Sequence, residues 1–206
     1  MYFLPFIIKQ FSWYHIHRRH SVTNNKRLRQ PKRFLSRDSM SHEQGYNVES
    51  ASLYIPPHPF GFICDGVYRS SYPAHGTLAY IKSLNLKSMV ALTPQDLKSE
   101  LRIFCSNNDI NIFECNIGFN QEPFVSMDEQ LVRTATKYIL DKSNHPVLVF
   151  CTHGKVKTGV VVGCLRRHMG WSMVSIMHEL EQFASDGFSN EAGLLDALFI
   201  QNYETE

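Results

Sequence analysis

Pro146-Val147-Leu148-Val149-Phe150 runs without a break into Cys151-Thr152-His153-Gly154-Lys155-Val156-Lys157, and Thr158-Gly159-Val160-Val161-Val162 follows. The first of these segments is an apolar, branched run of the kind that makes a fully buried strand. The last opens a helix. Strand, tight loop and helix in that order aim several backbone N–H groups and the positive end of a helix at one point, which makes an anion site before any side chain is considered. A cysteine at the first position of such a loop sits over that site, where the thiolate, the competent nucleophile, is favoured. Gly154 permits the close turn. The Thr158 hydroxyl is placed to donate to the sulfur as a bound group leaves it.

Outward from this segment, short apolar runs alternate with longer stretches of helical period, the pattern of a sheet flanked by helices. Strands are expected at Val67 to Arg69, Ser88 to Leu92, Asn111 to Cys115 and Val147 to Phe150. Helices are expected at Leu78 to Leu84, Leu97 to Asn107, Met127 to Leu140, Thr158 to His168, Ser172 to Ala184 and Glu191 to Tyr203, with Ser172 and Asn190 as caps. Trp171 and Phe183, among Met, Val and Leu at helical spacing, read as core. Two other motifs do not hold. Gly154-Lys155 lacks the earlier Gly and the following Ser or Thr of a nucleotide-binding loop, and His178-Glu179 lacks the second His of a zinc protease.

The chain has 206 residues, 43% of them hydrophobic, enough for one folded domain plus an extension. Its net charge of +2 is unevenly spread: residues 1 to 40 carry nine Lys and Arg but only Asp38 as an acid, while the remainder is acidic. Residues 1 to 50 therefore read as a mobile basic tail and 51 to 206 as the domain. Met40 is a plausible alternative start. Contact with membrane or nucleic acid is one reading of the tail, but no aromatic interleaving marks a nucleic-acid surface, and a solvated leader is preferred. Met1 to Ile8 is too short to span a bilayer and wrong for a secretory signal, whereas a mitochondrial presequence stays open. Five cysteines (Cys64, Cys105, Cys115, Cys151, Cys164) form no CxxC pair and no group at zinc spacing, so no metal or cofactor is expected, and free thiols in the cytoplasm fit best.

The loop resembles the cysteine-based phosphatases, whose motif is His-Cys, five residues, then Arg and Ser or Thr. Val67-Tyr68-Arg69-Ser70-Ser71-Tyr72-Pro73, Asn120-Gln121-Glu122-Pro123-Phe124-Val125, Gly170-Trp171-Ser172-Met173 and Leu195-Asp196-Ala197-Leu198-Phe199-Ile200 narrow the likeness to the plant and fungal atypical dual-specificity phosphatases, most nearly the fungal oxidant-induced cell-cycle arrest group. The resemblance covers about Ile55 to Tyr203. It implies a cysteine-phosphatase fold: an α/β domain with a central, mostly parallel sheet of four to five strands flanked by helices. It also implies Cys151 as nucleophile, phosphate contacts from Thr152, His153, Gly154, Lys155, Val156 and Lys157, a phosphate or inositol-phosphate ligand, and a cytosolic complex with related phosphatase-like proteins.

Two departures bear on function. Phe150 stands where the motif has histidine, and Lys157 where it has the essential arginine. Arginine grips two phosphoryl oxygens with a planar fork, whereas lysine is a mobile point charge. Loss of one preorganised donor costs on the order of 10²- to 10³-fold in rate. Relatives active on phosphate-dense substrates also carry Arg at the position of His153, His at that of Val156, and basic residues where this chain has Glu181 and Gln182. The expectation is a catalytically impaired or inactive phosphatase-like protein that retains an anion-binding loop and acts in a cytosolic complex or stress response. A slow phosphatase using Cys151 and a redox-sensing thiol are the alternatives. Lys157 itself reads either as an exposed helix-start lysine or as a retained phosphate contact. Glu122 is the nearest general-acid candidate, with Asp128 behind it, although a cap ahead of Pro123 explains Glu122 equally well. Arg69 reads as a salt bridge holding the first strand.

Overall fold

Val147–Cys151, the apolar run that ends in cysteine, is the middle strand of a five-stranded sheet. The computed structural model describes residues 54–93, 96–120, 126–184 and 191–205; the basic extension, Glu122 and Asn190 lie outside the described residues. In chain order the elements are β1 Phe60–Cys64, β2 Val67–Ser71, α1 Leu78–Ser83, β3 Ser88–Ala91, α2 Ser99–Asn107, β4 Asn111–Glu114, α3 Glu129–Leu140, β5 Val147–Cys151, α4 Val156–His168, α5 Met173–Ala184 and α6 Glu191–Asn202. The sheet order is β1-β2-β5-β3-β4. β2, β5, β3 and β4 run parallel, and β1 is an antiparallel edge on β2.

The mostly parallel sheet and all six expected helices are present, with ends shifted by up to two residues. β1 is absent from the strands expected from sequence. Pro59 precedes it, Gly61 interrupts it, and as an edge it fully buries only Ile63, so neither alternation nor a continuous apolar run marks it.

Every residue of β5 is buried, because helices cover both sides of the sheet. Alternation along the strand sends Val147, Val149 and Cys151 to the side of α3, α4, α5 and α6, and Leu148 and Phe150 to the side of α1 and α2. Helix α4 is the hub of the first layer, with Val160, Val161, Val162, Cys164 and Leu165 all buried. Burying one such side chain contributes about 1.5–3 kcal/mol, against about 1 kcal/mol for a typical net hydrogen bond. The valine run therefore anchors the C-terminal side of the loop more firmly than any one polar contact there.

A buried polar clasp ties α6 to the chain entering α3. Asn120 Nδ2 donates to Asp196 Oδ1 at 2.7 Å, and Asn120 Oδ1 accepts from the Met127 N–H at 2.7 Å. Burial pushes the Asp196 carboxyl up to about 6, with the hydrogen bond from Asn120 acting in the other direction.

Candidate functional site

β5 delivers Cys151 at the carboxyl end of the central strand, where ligands of open α/β sheets are received. Its partner in register is Ser71 of β2; on the other side, the Leu92 N–H donates to the Phe150 carbonyl at 2.8 Å. The loop then folds back over the end of β2. Gly154 has φ +68°, and a Cβ there would lie 2.5 Å from the Ser71 nitrogen and 2.7 Å from the Ser70 oxygen, so only glycine fits. The Gly154 N–H donates to Cys151 Sγ at 3.2 Å, which aims a backbone donor at the sulfur as an anion cradle requires.

Among the other expected contact residues, Thr152, His153 and Val156 are exposed and Lys155 is half-buried. Lys157 is 3% exposed. Its Nζ has no hydrogen-bond partner among the described residues and lies 4.2 Å from the centre of the Phe119 ring. The reading of Lys157 as an exposed helix-start lysine is thereby overturned: α4 begins at Val156 rather than Thr158, which places Lys157 in the first turn, facing inward. Burial lowers its pKa, and the neighbouring Cys151 charge raises it. Thr158 is fully buried, with Oγ1 unpartnered among the described residues. Lys157 lies close enough to Cys151 for their charges to interact, and Lys157 Nζ and Thr158 Oγ1 are both buried with no hydrogen-bond partner among the described residues.

Phe150 faces the opposite side of the sheet, packed edge-on to Tyr72 at 5.7 Å between centroids. It supplies nothing polar behind the loop. Backbone does part of that work: the Tyr72 N–H donates to the Thr152 carbonyl at 3.4 Å.

Glu122 lies outside the described residues. Asp128 is the N-cap of α3, accepting from the Gln130 and Leu131 N–H groups at 2.9 and 3.2 Å. Sequence reasoning found Arg69 and its ion pair but missed its reach into the loop, where Nη2 donates to the Gly154 carbonyl at 3.2 Å. The available signal was alternation: Arg69 falls on the same face as Val67, and an inward arginine demands buried partners. Trp171 and Phe183 are not core as expected. They cover guanidinium groups, Trp171 that of Arg166 at 3.9 Å and Phe183 that of Arg69 at 3.6 Å, and Trp171 stays 40% exposed.

Three of the other cysteines, Cys64, Cys105 and Cys115, stand away from Cys151. Cys115, whose N–H donates to the Ala91 carbonyl, continues β4, two strands away from β5. At about 4.8 Å per strand this is roughly 10 Å, beyond disulfide reach. Cys64 is at the far end of the β1–β2 hairpin, and Cys105 packs on the opposite face of the sheet. Burial pushes the Cys105 thiol up to about 11 and raises those of Cys115 and Cys164, which makes all three poor attacking thiols.

Comparison with known proteins places this geometry in context. A family model described as "Tyrosine phosphatase family" matches residues 54–206. Inositol diphosphatase DSP1 of Oryza sativa subsp. japonica is 40% identical over 133 residues, which cover 65% of this chain and 60% of the rice protein. Inositol diphosphatase DSP4 of Arabidopsis thaliana is 35% identical over 150 residues, 73% of either chain. The core catalytic domain of PP-IP phosphatase SIW14 from S. cerevisiae, solved in complex with citrate, matches with a TM-score of 0.67 at 31% identity, covering 74% of this chain and 89% of that one. The chain thus spans about three fifths of the rice relative's length.

Proposed function

The chain belongs to the tyrosine phosphatase family, and on that premise we propose that it holds phosphoryl anions of the inositol-pyrophosphate class over Cys151 while turning them over slowly or not at all. One observation carries this reading. Lys157 Nζ, beside Cys151, and Thr158 Oγ1, on the next residue, are buried without a hydrogen-bond partner among the described residues, which leaves two donors for an anion. Burying an unpaired ammonium costs several kcal/mol, and a bound phosphoryl group would offset that cost. The inositol class is suggested by relatives named inositol diphosphatases.

In the reaction this frame supports, the Cys151 thiolate attacks phosphorus and the leaving oxygen takes a proton from a general acid, for which Glu122 is the candidate by motif. Water then attacks the phosphocysteine, releasing phosphate, while the Thr158 hydroxyl donates to the departing sulfur. Lys157 is the weak part. Its ammonium neutralises charge at one point but cannot follow two equatorial oxygens into the transition state as a guanidinium does. Because Lys157 is buried beside Cys151 rather than exposed, slow turnover is a coherent second reading, with Cys151 as nucleophile and Lys157 as a single-point clamp.

Titrating the purified chain with inorganic phosphate by calorimetry, alongside hydrolysis assays on a small aryl phosphate, separates binding from turnover. Saturable binding with little hydrolysis is expected. No binding, or rapid hydrolysis abolished by Cys151→Ser, would overturn the proposal.

A further inference from the structure

A second cation lies beneath the loop. Arg69 of β2 is fully buried, and its guanidinium has three kinds of partner. Nη2 donates to the Gly154 carbonyl at 3.2 Å, Nη1 meets Glu179 Oε1 at 3.5 Å, and the Phe183 ring covers it at 3.6 Å. Glu179 also accepts from Arg166 Nε at 2.8 Å, and Arg166 donates to the Ile63 carbonyl at 2.6 Å. One carboxylate thus serves two buried guanidiniums, leaving an excess of positive charge under the anion site. Burial pushes the Arg69 pKa down to about 10, with Glu179 and Cys151 opposing, so the group remains charged at neutral pH.

Joining β2 to α5 needs only the Arg69–Glu179 pair. Donation into the loop does something further. The Gly154 carbonyl and the Lys155 N–H belong to one planar trans peptide and point in opposite directions. Holding the oxygen down toward β2 turns that N–H up, away from the strand.

We propose that Arg69 is a positioning residue for the phosphoryl anion: it fixes the Gly154–Lys155 peptide so that the Lys155 N–H faces the site above Cys151, and it adds a fixed positive charge from below. This rests on the anion-binding reading given above. It also assigns Glu179 a role opposite in sign, since its carboxylate diminishes the field that Arg69 supplies.

The test compares Arg69→Met and Glu179→Gln with the unmodified chain in three measurements: inorganic phosphate affinity, alkylation rate of Cys151 by iodoacetamide at fixed pH followed by mass spectrometry, and thermal melting. Arg69→Met is expected to weaken phosphate binding about tenfold, the scale of one charge-assisted contact, and to slow alkylation. Glu179→Gln leaves the Gly154 contact in place and is expected to strengthen binding and speed alkylation by a few-fold. A merely structural ion pair would move both variants in the same direction. Changes of the same sign, or a folded Arg69→Met chain that behaves like the unmodified one, would overturn the inference. Should Arg69→Met fail to fold, Glu179→Gln decides: a gain supports the role, and a loss or no change rejects it. Absence of phosphate binding in the unmodified chain would reject the anion-binding reading, while alkylation, which needs no ligand, still judges the Arg69 contact.

Discussion

Above the phosphate loop, Lys157 is buried with no hydrogen-bond partner among the described residues and the Phe119 ring against its ammonium; below it, Arg69 is buried with a carbonyl, a carboxylate and an aromatic face around its guanidinium. The same desolvation acts on both groups and lowers both pKa values. What differs is compensation. The underside is the more fully partnered network, with Arg69 Nε lacking a hydrogen bond among the described residues, and removing a partner there leaves a charge uncompensated. The mouth is poorly partnered by protein, as suits a place where a ligand supplies the missing contacts. Lys157, at the position where the resembled motif has arginine, therefore stands in the less partnered of the two regions.

The largest effect should come from restoring the mouth. Lys157→Arg is expected to raise turnover of an inositol pyrophosphate by about 10²-fold or more, the scale of one preorganised donor. If steady-state assays show no gain, decay of the site extends past this one cation. Disturbing the frame comes next. At Gly154→Ala, the added methyl meets backbone at 2.5 Å and the φ of +68° is strained for it, so a loss of about 3 kcal/mol is expected in chemical denaturation, together with phosphate binding. A chain that keeps both would show that the loop does not need its contact with β2.

Asp196, bonded to Asn120 next to Phe119, offers a pH test of the clasp. Its carboxyl is raised from an ordinary 3.8 to about 6 in the folded state. The stability it contributes is therefore fully present below about pH 4 and lost as pH rises through about 6, roughly 2–3 kcal/mol at 1.36 kcal/mol per unit. Asp196→Asn keeps an acceptor for Asn120 and should remove that slope between pH 4 and 6 in urea titrations. An unchanged slope would place the titrating group elsewhere. The smallest change is expected for Phe119→Leu, which removes the aromatic face under Lys157 but keeps apolar cover. A cation–π contact of this kind is worth about 1 kcal/mol, so phosphate affinity should shift by no more than a few-fold, measured by calorimetry.

Much of the underlying plan is legible in the sequence. β5 and the core of β3 announce themselves by apolar residues buried on both faces, β2 and β4 by branched and aromatic residues between turn formers, and the Cys151–Thr158 loop because strand, cysteine, glycine and helix stand in immediate succession. β1 is not legible, since an antiparallel edge with Pro59 and Gly61 has no periodic signature. At the site, the limits are of distance. Arg69 meets Gly154 across 85 positions and Glu179 across 110, and no local pattern reports such a meeting. The inward turn of Lys157 escaped for a different reason: it depends on α4 starting two residues early, within the ordinary uncertainty of a helix boundary.

The central claim is that this loop binds its phosphorylated ligand and then lacks the cation to release the phosphate quickly. A single-turnover experiment with the chain in excess over an inositol pyrophosphate reads both events, bound substrate by rapid filtration and free phosphate by time course. Retained substrate with phosphate release at least about 10²-fold slower than in the Lys157→Arg chain is the expected result. Release as fast as in that variant, abolished by Cys151→Ser, would contradict it.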